Sequence, residues 1–406
     1  MKETMTSRQR VLTALAHREA DRVPIDLGGM DSTTIMGAAY TRLKRHLGIA
    51  GGSTRIYAPE LICLVEEPVR RWARADVVPI PLLPHEWRPW TLSDGSPCEI
   101  PARWNPEQQA DGSWIVRDPA SGQPALRMPA GGFFFDAVNP PLAGCETIAD
   151  LDAHAADFES ADWPFWVDDT FDDLRERGRR LRQETDAAIM GNFAVHIFAG
   201  GQSLRGYDTF MMDLLLNPKL AEAIMDRLAE AYIRRFDHYI EAVGPYVDII
   251  NVNDDLGQQD RLLISPKTYR TLVKPYQKKI YDYIHRKTSA QLFLHSDGSI
   301  RAVIPDLIEI GVQILNPCQF TAAGMDSAEL KREFGKELTF WGAGVDTQTT
   351  LPRGTPQQVR DEVRRQLDIL MPGGGYVFNT VHNILHEVPP ENIVAMYEAV
   401  WEYGKY

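Results

Sequence analysis

The feature that most constrains this chain is the alternation of strand-like and helix-like segments through its C-terminal half. Residues 247–252 (VDIINV) form a short apolar run rich in β-branched side chains. Ser265-Pro266 then starts a helix, with Ser as N-cap and Pro in the first helical position. Tyr269, Leu272, Val273, Tyr276, Ile280, Tyr283 and Ile284 follow as a helical stripe. Pro275 lies inside that stripe and should kink or divide it. Strands at 291–295, 313–316, 338–341 and 375–379 alternate with helices through Val303 to Ile308, near 326–334, after Thr355-Pro356 and from Pro390. Five strand–helix units within residues 247–406 predict parallel β/α architecture. Residues 22–26, 76–80 and 187–192 supply three further strands, which makes the expected fold a TIM (β/α)8 barrel. A doubly wound sheet is the alternative, but no Gly-x-Gly-x-x-Gly follows a predicted strand.

Residues 81–150 break this rhythm. They are rich in Trp, Pro and Gly, with turn signals at Ser93-Asp-Gly95 and Ala110-Asp-Gly112 between short alternating runs. That pattern predicts antiparallel hairpins. The expectation is one domain over 1–406 with a β-rich insertion at about 81–150, serving either as a cover over the barrel mouth or as a brace.

Charge and cysteine usage narrow the function. With 43 basic and 56 acidic residues the net charge is −13, which disfavours nucleic acid, since phosphate contacts need a basic surface. The apolar runs fall short of a membrane span, and residues 1–8 (MKETMTSR) do not read as a signal peptide. Cys63, Cys98, Cys145 and Cys318 are far apart, without paired spacing, as expected of a cytoplasmic protein.

The chemistry-bearing pattern is His295-Ser-Asp297 with His382. Side chains at i and i+2 of a strand end point the same way, and a second expected strand leads to His382. Two imidazoles and a carboxylate at the C-terminal ends of barrel strands are the ligand set of an open, catalytic metal site. A buried, hydrogen-bonded His is the plainer reading. The same triplet is the facial triad of non-haem iron oxygenases, whose jelly roll needs many antiparallel strands that this half of the chain does not show. Other candidates lie at expected strand ends: Asp254, Asp255 and Asp346 as catalytic or ligand-orienting groups, and His196 and Tyr207 as substrate contacts. Cys318 is a possible fourth ligand. Glu66 and Glu67 read as helix-surface charges.

With these residues in place, the chain resembles the uroporphyrinogen decarboxylase superfamily, and more closely its corrinoid-dependent methyltransferase branch. The resemblance is carried by residues 8–17 (RQRVLTALAH), 21–26 (DRVPID), 200–206 (GGQSLRG), 253–257 (NDDLG), 293–298 (FLHSDG), 304–311 (IPDLIEIG), 315–317 (LNP) and 389–393 (PPENI). It implies a TIM barrel and a homodimer. Decarboxylases of this superfamily grip substrate carboxylates with an N-terminal Arg-Gln-Ala-Gly-Arg motif; here residues 25–31 (IDLGGMD) hold no arginine. A polycarboxylate would meet Asp26 and Asp31, and like charges repel.

Members of the methyltransferase branch bind zinc through His-X-Cys and a distant Cys. The matching positions here are His295, Asp297 and His382, so both thiolates are replaced by harder donors. The resemblance therefore implies Zn²⁺ with a greater preference for oxygen. The implied reaction moves a methyl group from an O-methyl substrate, such as a methoxyaromatic compound, to the Co(I) corrinoid of a separate protein. No Asp-X-His-X-X-Gly cobalamin signature occurs in the chain. The alternatives are a decarboxylase or lyase acting on a non-porphyrin substrate, a methylcorrinoid:thiol methyltransferase, and a non-catalytic binding protein.

Overall fold

The computed structural model describes residues 3–119, 121–193 and 195–406. Seven strands form one curled parallel sheet in sequential order: β1 (Val77–Ile80), β2 (Ala188–Asn192), β3 (Ile249–Asn253), β4 (Gln291–His295), β5 (Ile314–Asn316), β6 (Thr339–Trp341) and β7 (Tyr376–Val377). Every neighbouring pair is parallel, with helices packed outside, as in TIM-like folds. Period-2 alternation sorts the strand residues. Val77, Ala188, Met190, Ile249, Phe293, Ile314, Trp341 and Val377 form one fully buried cluster, joined by Val11 and Leu15 of the helix Ser7–Leu15 and by Met30. Each large apolar side chain in it contributes about 1.5–3 kcal/mol of burial. Nearer the C-terminal strand ends the same faces turn polar, at Asn192, Asn251, Asn253, His295 and Asn316. That change leaves an apolar floor beneath a polar mouth.

The expected strand at 22–26 forms isolated bridges instead of a regular ladder. Ile25 bridges Phe378 in parallel, and Arg22 bridges Lys405. Asp26 N donates to Phe378 O (2.8 Å) and Phe378 N to Pro24 O (2.8 Å), while Asp76 N donates to Ile25 O (2.7 Å). The segment thus touches both edges of the sheet. Pro24 lacks an N–H, and Ile25 N donates to the Asp76 side chain (2.9 Å), so regular pairing is interrupted. Asp76, fully buried, also accepts from Arg10 Nη1 and Arg22 Nη1 at 2.6 Å each.

The helix signals have the expected effects. Ser265 accepts from Thr268 N, and Thr355 forms a capping box with Gln358. Ahead of Pro275 the chain widens into a π-helical turn, Tyr269–Val273, before the helix Lys274–Lys287. Pro275 cannot donate to the carbonyl four residues back, and its ring crowds it.

The insertion is antiparallel. Trp87–Thr91 pairs with Pro97–Pro101 around a turn at Gly95, and Glu107–Gln108, Trp114–Arg117, Pro124–Met128 and Asp136–Ala137 form a four-stranded sheet. Its end reaches the rim of the mouth. Phe133 stacks on His386, with centroids 3.4 Å apart, and Phe135 N donates to Pro59 O. No described helix is long and apolar enough to cross a membrane.

Candidate metal centre

His295 ends β4 and Asp297 follows two residues later, in a loop knitted to the one after β3. Asp254 N donates to His295 O, Leu256 N to Ser296 Oγ, and Asp297 N to Asp255 Oδ1. The two loops touch backbone to backbone at Gly257 and Gly298. A Cβ on Gly298, whose φ is +85°, would lie 2.5 Å from the Gly257 carbonyl carbon. His382 sits in the loop after β7, where Thr380 Oγ1 donates to the His382 carbonyl. Val381 N bonds Val345 O, and Ile384 N bonds Thr34 O, so the loop is pinned on both sides.

These loops bring three donor atoms together. Asp297 Oδ2 lies 3.7 Å from His295 Nε2 and 3.5 Å from His382 Nε2, and the two imidazole centroids are 5.4 Å apart. Ligands about 2.0–2.1 Å from a tetrahedral ion stand roughly 3.3 Å from one another, so small adjustments would let all three bind one ion. The tautomer of His295 is fixed from behind. Asn316 Nδ2 donates to Trp341 O (2.9 Å), which turns Asn316 Oδ1 toward His295 Nδ1 at 2.7 Å. Nδ1 must therefore carry the proton, leaving the Nε2 lone pair facing Asp297. Burial lowers the His382 pKa against the opposing pull of Asp297 and so favours the neutral form a ligand needs. The residues present fit a divalent ion. Asp255 Oδ1, 4.0 Å from His295 Nε2, stands at the edge of this group.

A cavity of about 240 Å³ opens at the C-terminal end of β2, where Asn192 lines it, and is walled by Asp31, Tyr57, Glu60, Asp162, Trp166 and His196, among others; the three donor residues are not part of its wall. His196 Nδ1 lies 3.0 Å from Asp162 Oδ2. Burial opposes the imidazolium, but Asp162, with Asp254 and Asp255 beyond it, raises the His196 pKa to about 9. Tyr57 Oη donates to Asp31 Oδ1 (2.7 Å). Asp31 is open to the cavity yet ringed by protein. That surrounding raises its pKa, opposed by the Tyr57 hydrogen bond and by the charges of His196 and His295.

Sequence reasoning did not find the cavity wall beyond His196. Tyr57, Glu60, Asp162 and Trp166 lie in irregular segments without periodicity. Asn316 had a signal, because it ends the strand beside His295.

Three further candidates are not part of the donor group. Asp254 is buried and caps the helix Phe198–Arg205, accepting from Ile197, Phe198 and Ala199 N and from Gln277 Nε2. Its lone pairs are spent on that helix end, so it does not face the ligand atoms. Asp346 is likewise buried and accepts from Thr349 N (2.8 Å). Tyr207 opens the helix Tyr207–Leu216, half exposed, and does not line the cavity. Cys318 is buried, which pushes its thiol to about 12, and it lies outside the donor cluster. A second group, His85 with Asp169 and Asp173, has its carboxylates engaged by Arg177 and Thr170.

Residues 176–403 match the family model described as Uroporphyrinogen decarboxylase (URO-D). A uroporphyrinogen decarboxylase of Pseudoalteromonas translucida is 25% identical over 220 residues, covering 52% of this chain and 56% of that protein. One of Pseudomonas fluorescens is 26% identical over 261 residues, covering 63% and 68%. The chain thus spans between about half and two thirds of the length of these relatives. Among solved structures, a methyltransferase from Methanosarcina mazei shares the fold, with a TM-score of 0.58 and 18% identity over 98% of this chain and 99% of that one. With more than half of its length matched by the family model, the chain belongs to the uroporphyrinogen decarboxylase (URO-D) family.

Proposed function

We propose that this protein is a metal-dependent methyltransferase that takes a methyl group from an O-methyl donor and passes it to the Co(I) corrinoid of a separate protein. The observation that carries this reading is the convergence of His295 Nε2, Asp297 Oδ2 and His382 Nε2 at the mouth. A solved methyltransferase with the same fold supports it. On this reading the whole chain is one URO-D-like barrel, residues 22–26 are its eighth stave, and the 81–150 insertion contributes to its rim.

Zn²⁺ held by His295, Asp297 and His382 would supply Lewis acidity toward an ether oxygen that must leave with the bonding pair. The chain's own residues do the rest. Asn316 keeps the His295 proton on Nδ1. Asp255 fixes the Asp297 backbone. Asp254 anchors the helix end beside His196, and Asp346 shapes the loop after β6. His196, protonated at neutral pH on its pairing with Asp162, faces the cavity as the substrate contact that can return a proton to the departing oxygen. Porphyrinogen decarboxylation, the activity for which the relatives are named, is disfavoured, because among the described residues no Lys or Arg lines this acidic cavity to receive a polycarboxylate.

The test is metal content by mass spectrometry, followed by methyl transfer from methoxybenzenes to cob(I)alamin read by visible absorbance. About one zinc per chain, lost in both His382→Ala and Asp297→Ala, together with methylcobalamin formation, is the expected result. A chain purified with zinc present that holds no metal would overturn the reading.

A further inference from the structure

We infer that the groove between the helices Ala155–Ser160 and Pro218–Val243 is a binding site for a small aromatic carboxylate, whose carboxyl group pairs with Arg235 and whose ring lies against Trp163 and Phe171. None of the donor residues lines this groove. The inference therefore stands apart from the methyl-transfer reading, and its ligand is distinct from the methyl donor.

Arg235 is the reason to expect an anion. Four arginines are buried among the described residues, and three of them rest on carboxylates: Arg10 and Arg22 on Asp76, and Arg205 on Asp213. Arg235, only 8% exposed, has no such partner among the described residues. Its single hydrogen bond there runs from Nη2 to the Glu159 carbonyl at 2.7 Å. The nearby carboxylates are already committed, Glu159 to Arg234 and Asp162 to His196 and Tyr232. Neither Nε nor Nη1 of Arg235 is sealed from solvent, and since the side chain lines the groove, that is where they open. A buried guanidinium without a counter-charge is costly, and a carboxylate is the partner that matches its planar fork.

The walls select for a ring. The groove, of about 680 Å³, is flanked by Trp163 and Phe171, which meet edge to face at 5.4 Å, with His238 beside Phe171 at 5.7 Å. The Arg235 guanidinium carbon lies 5.9 Å from the Trp163 ring centroid and 5.5 Å from that of Tyr232. Cation–π attraction thus holds the fork beside the aromatic wall. Trp163 and Phe171 are each only partly buried, so apolar ring surface remains for a ligand ring to cover. At the rim Arg234 and Glu159 cancel one another, which leaves Arg235 as the uncompensated charge of the site in a chain whose net charge is −13. An apolar concavity with one convergent charged group is the usual form of a small-molecule site. Tyr232, on the far side of the guanidinium, bonds Asp162 and the His196 carbonyl. The groove therefore backs onto the cavity beside His196 without sharing a lining residue with it.

Titration calorimetry of the full chain with benzoate, uncharged benzamide and acetate separates the contributions of charge and ring. Benzoate should bind at least tenfold more tightly than either of the others. Arg235→Met should lose at least tenfold in affinity for benzoate. Phe171→Leu, which keeps the charge, should lose at least threefold, with circular dichroism and metal content unchanged. Binding should persist in His382→Ala, which separates the groove from the metal centre. Benzoate held no better than benzamide overturns the inference. So does unaltered binding by Arg235→Met or, where that variant does not fold, by Phe171→Leu. Loss of benzoate binding in His382→Ala assigns the ligand to the donor group and overturns the inference as well. Each of these results leaves metal binding and methyl transfer standing.

Discussion

Asn316 decides which nitrogen of His295 faces the mouth, and the Trp341 carbonyl in turn decides which end of the Asn316 amide faces His295. Asn316→Leu removes both bonds. It should cost about 1–3 kcal/mol of stability, because the Trp341 carbonyl is left unpaired. It should also lower zinc affinity by roughly 10- to 100-fold, the usual effect of removing a partner that orients a ligand. Competition with a chromophoric chelator, beside a urea melt, checks both; unchanged zinc affinity would mean that His295 is oriented by something else. Single residues were unevenly legible in the sequence. His295 and Asp297 could be placed because strand periodicity fixes where side chains at the end of β4 point, whereas His382, five residues past β7, was found only as a histidine following an expected strand. Asp254 could not. Its partners are the amides of a helix that starts more than fifty positions earlier, and no local pattern records that meeting.

The two loops after β3 and β4 act as one element, because Gly257 and Gly298 let their backbones touch. Gly298→Ala adds a Cβ where the Gly257 carbonyl carbon already stands, at a φ that L-residues rarely adopt. The loops must part, carrying Asp297 away from the imidazoles. A melting temperature several degrees lower and at least tenfold weaker zinc binding are expected, checked by calorimetry and metal titration, with Gly95→Ala at an open hairpin turn as the control that leaves zinc binding unchanged. Elements themselves were well announced by the sequence. N-caps, N1 prolines and alternating runs placed the strands and helices of the C-terminal half, and Pro275 foretold a defect that took the form of a π-helical turn. The exception is 22–26, where Pro24 and the Asp76 carboxylate replace ladder bonds.

At the scale of the molecule, Asp76 joins the bridging segment to β1 while neutralising Arg10 and Arg22. Asp76→Ala takes the buried carboxylate from two guanidinium groups, though Arg10 keeps Asp21 and both keep Glu3, and should cost about 3 kcal/mol, measured by urea denaturation. The same cluster sets an acid limit. Burial opposes the Asp21 charge, but Arg10 and the Met5 and Thr4 amides overcome it and hold Asp21 well below the usual carboxylate range. A depressed pKa contributes stability above the unfolded value of about 4, and that stability is lost as pH falls below it.

The bridges from residues 24–26 to Phe378 also bear on how the protein is made. On a ribosome, the first stretch of this chain must wait for nearly all the rest before its partner strand is synthesised. Until then the growing sheet has one unsatisfied flank, open to pairing with other nascent chains. Pairing of this flank is therefore a late event, slow because its contacts are so distant in sequence.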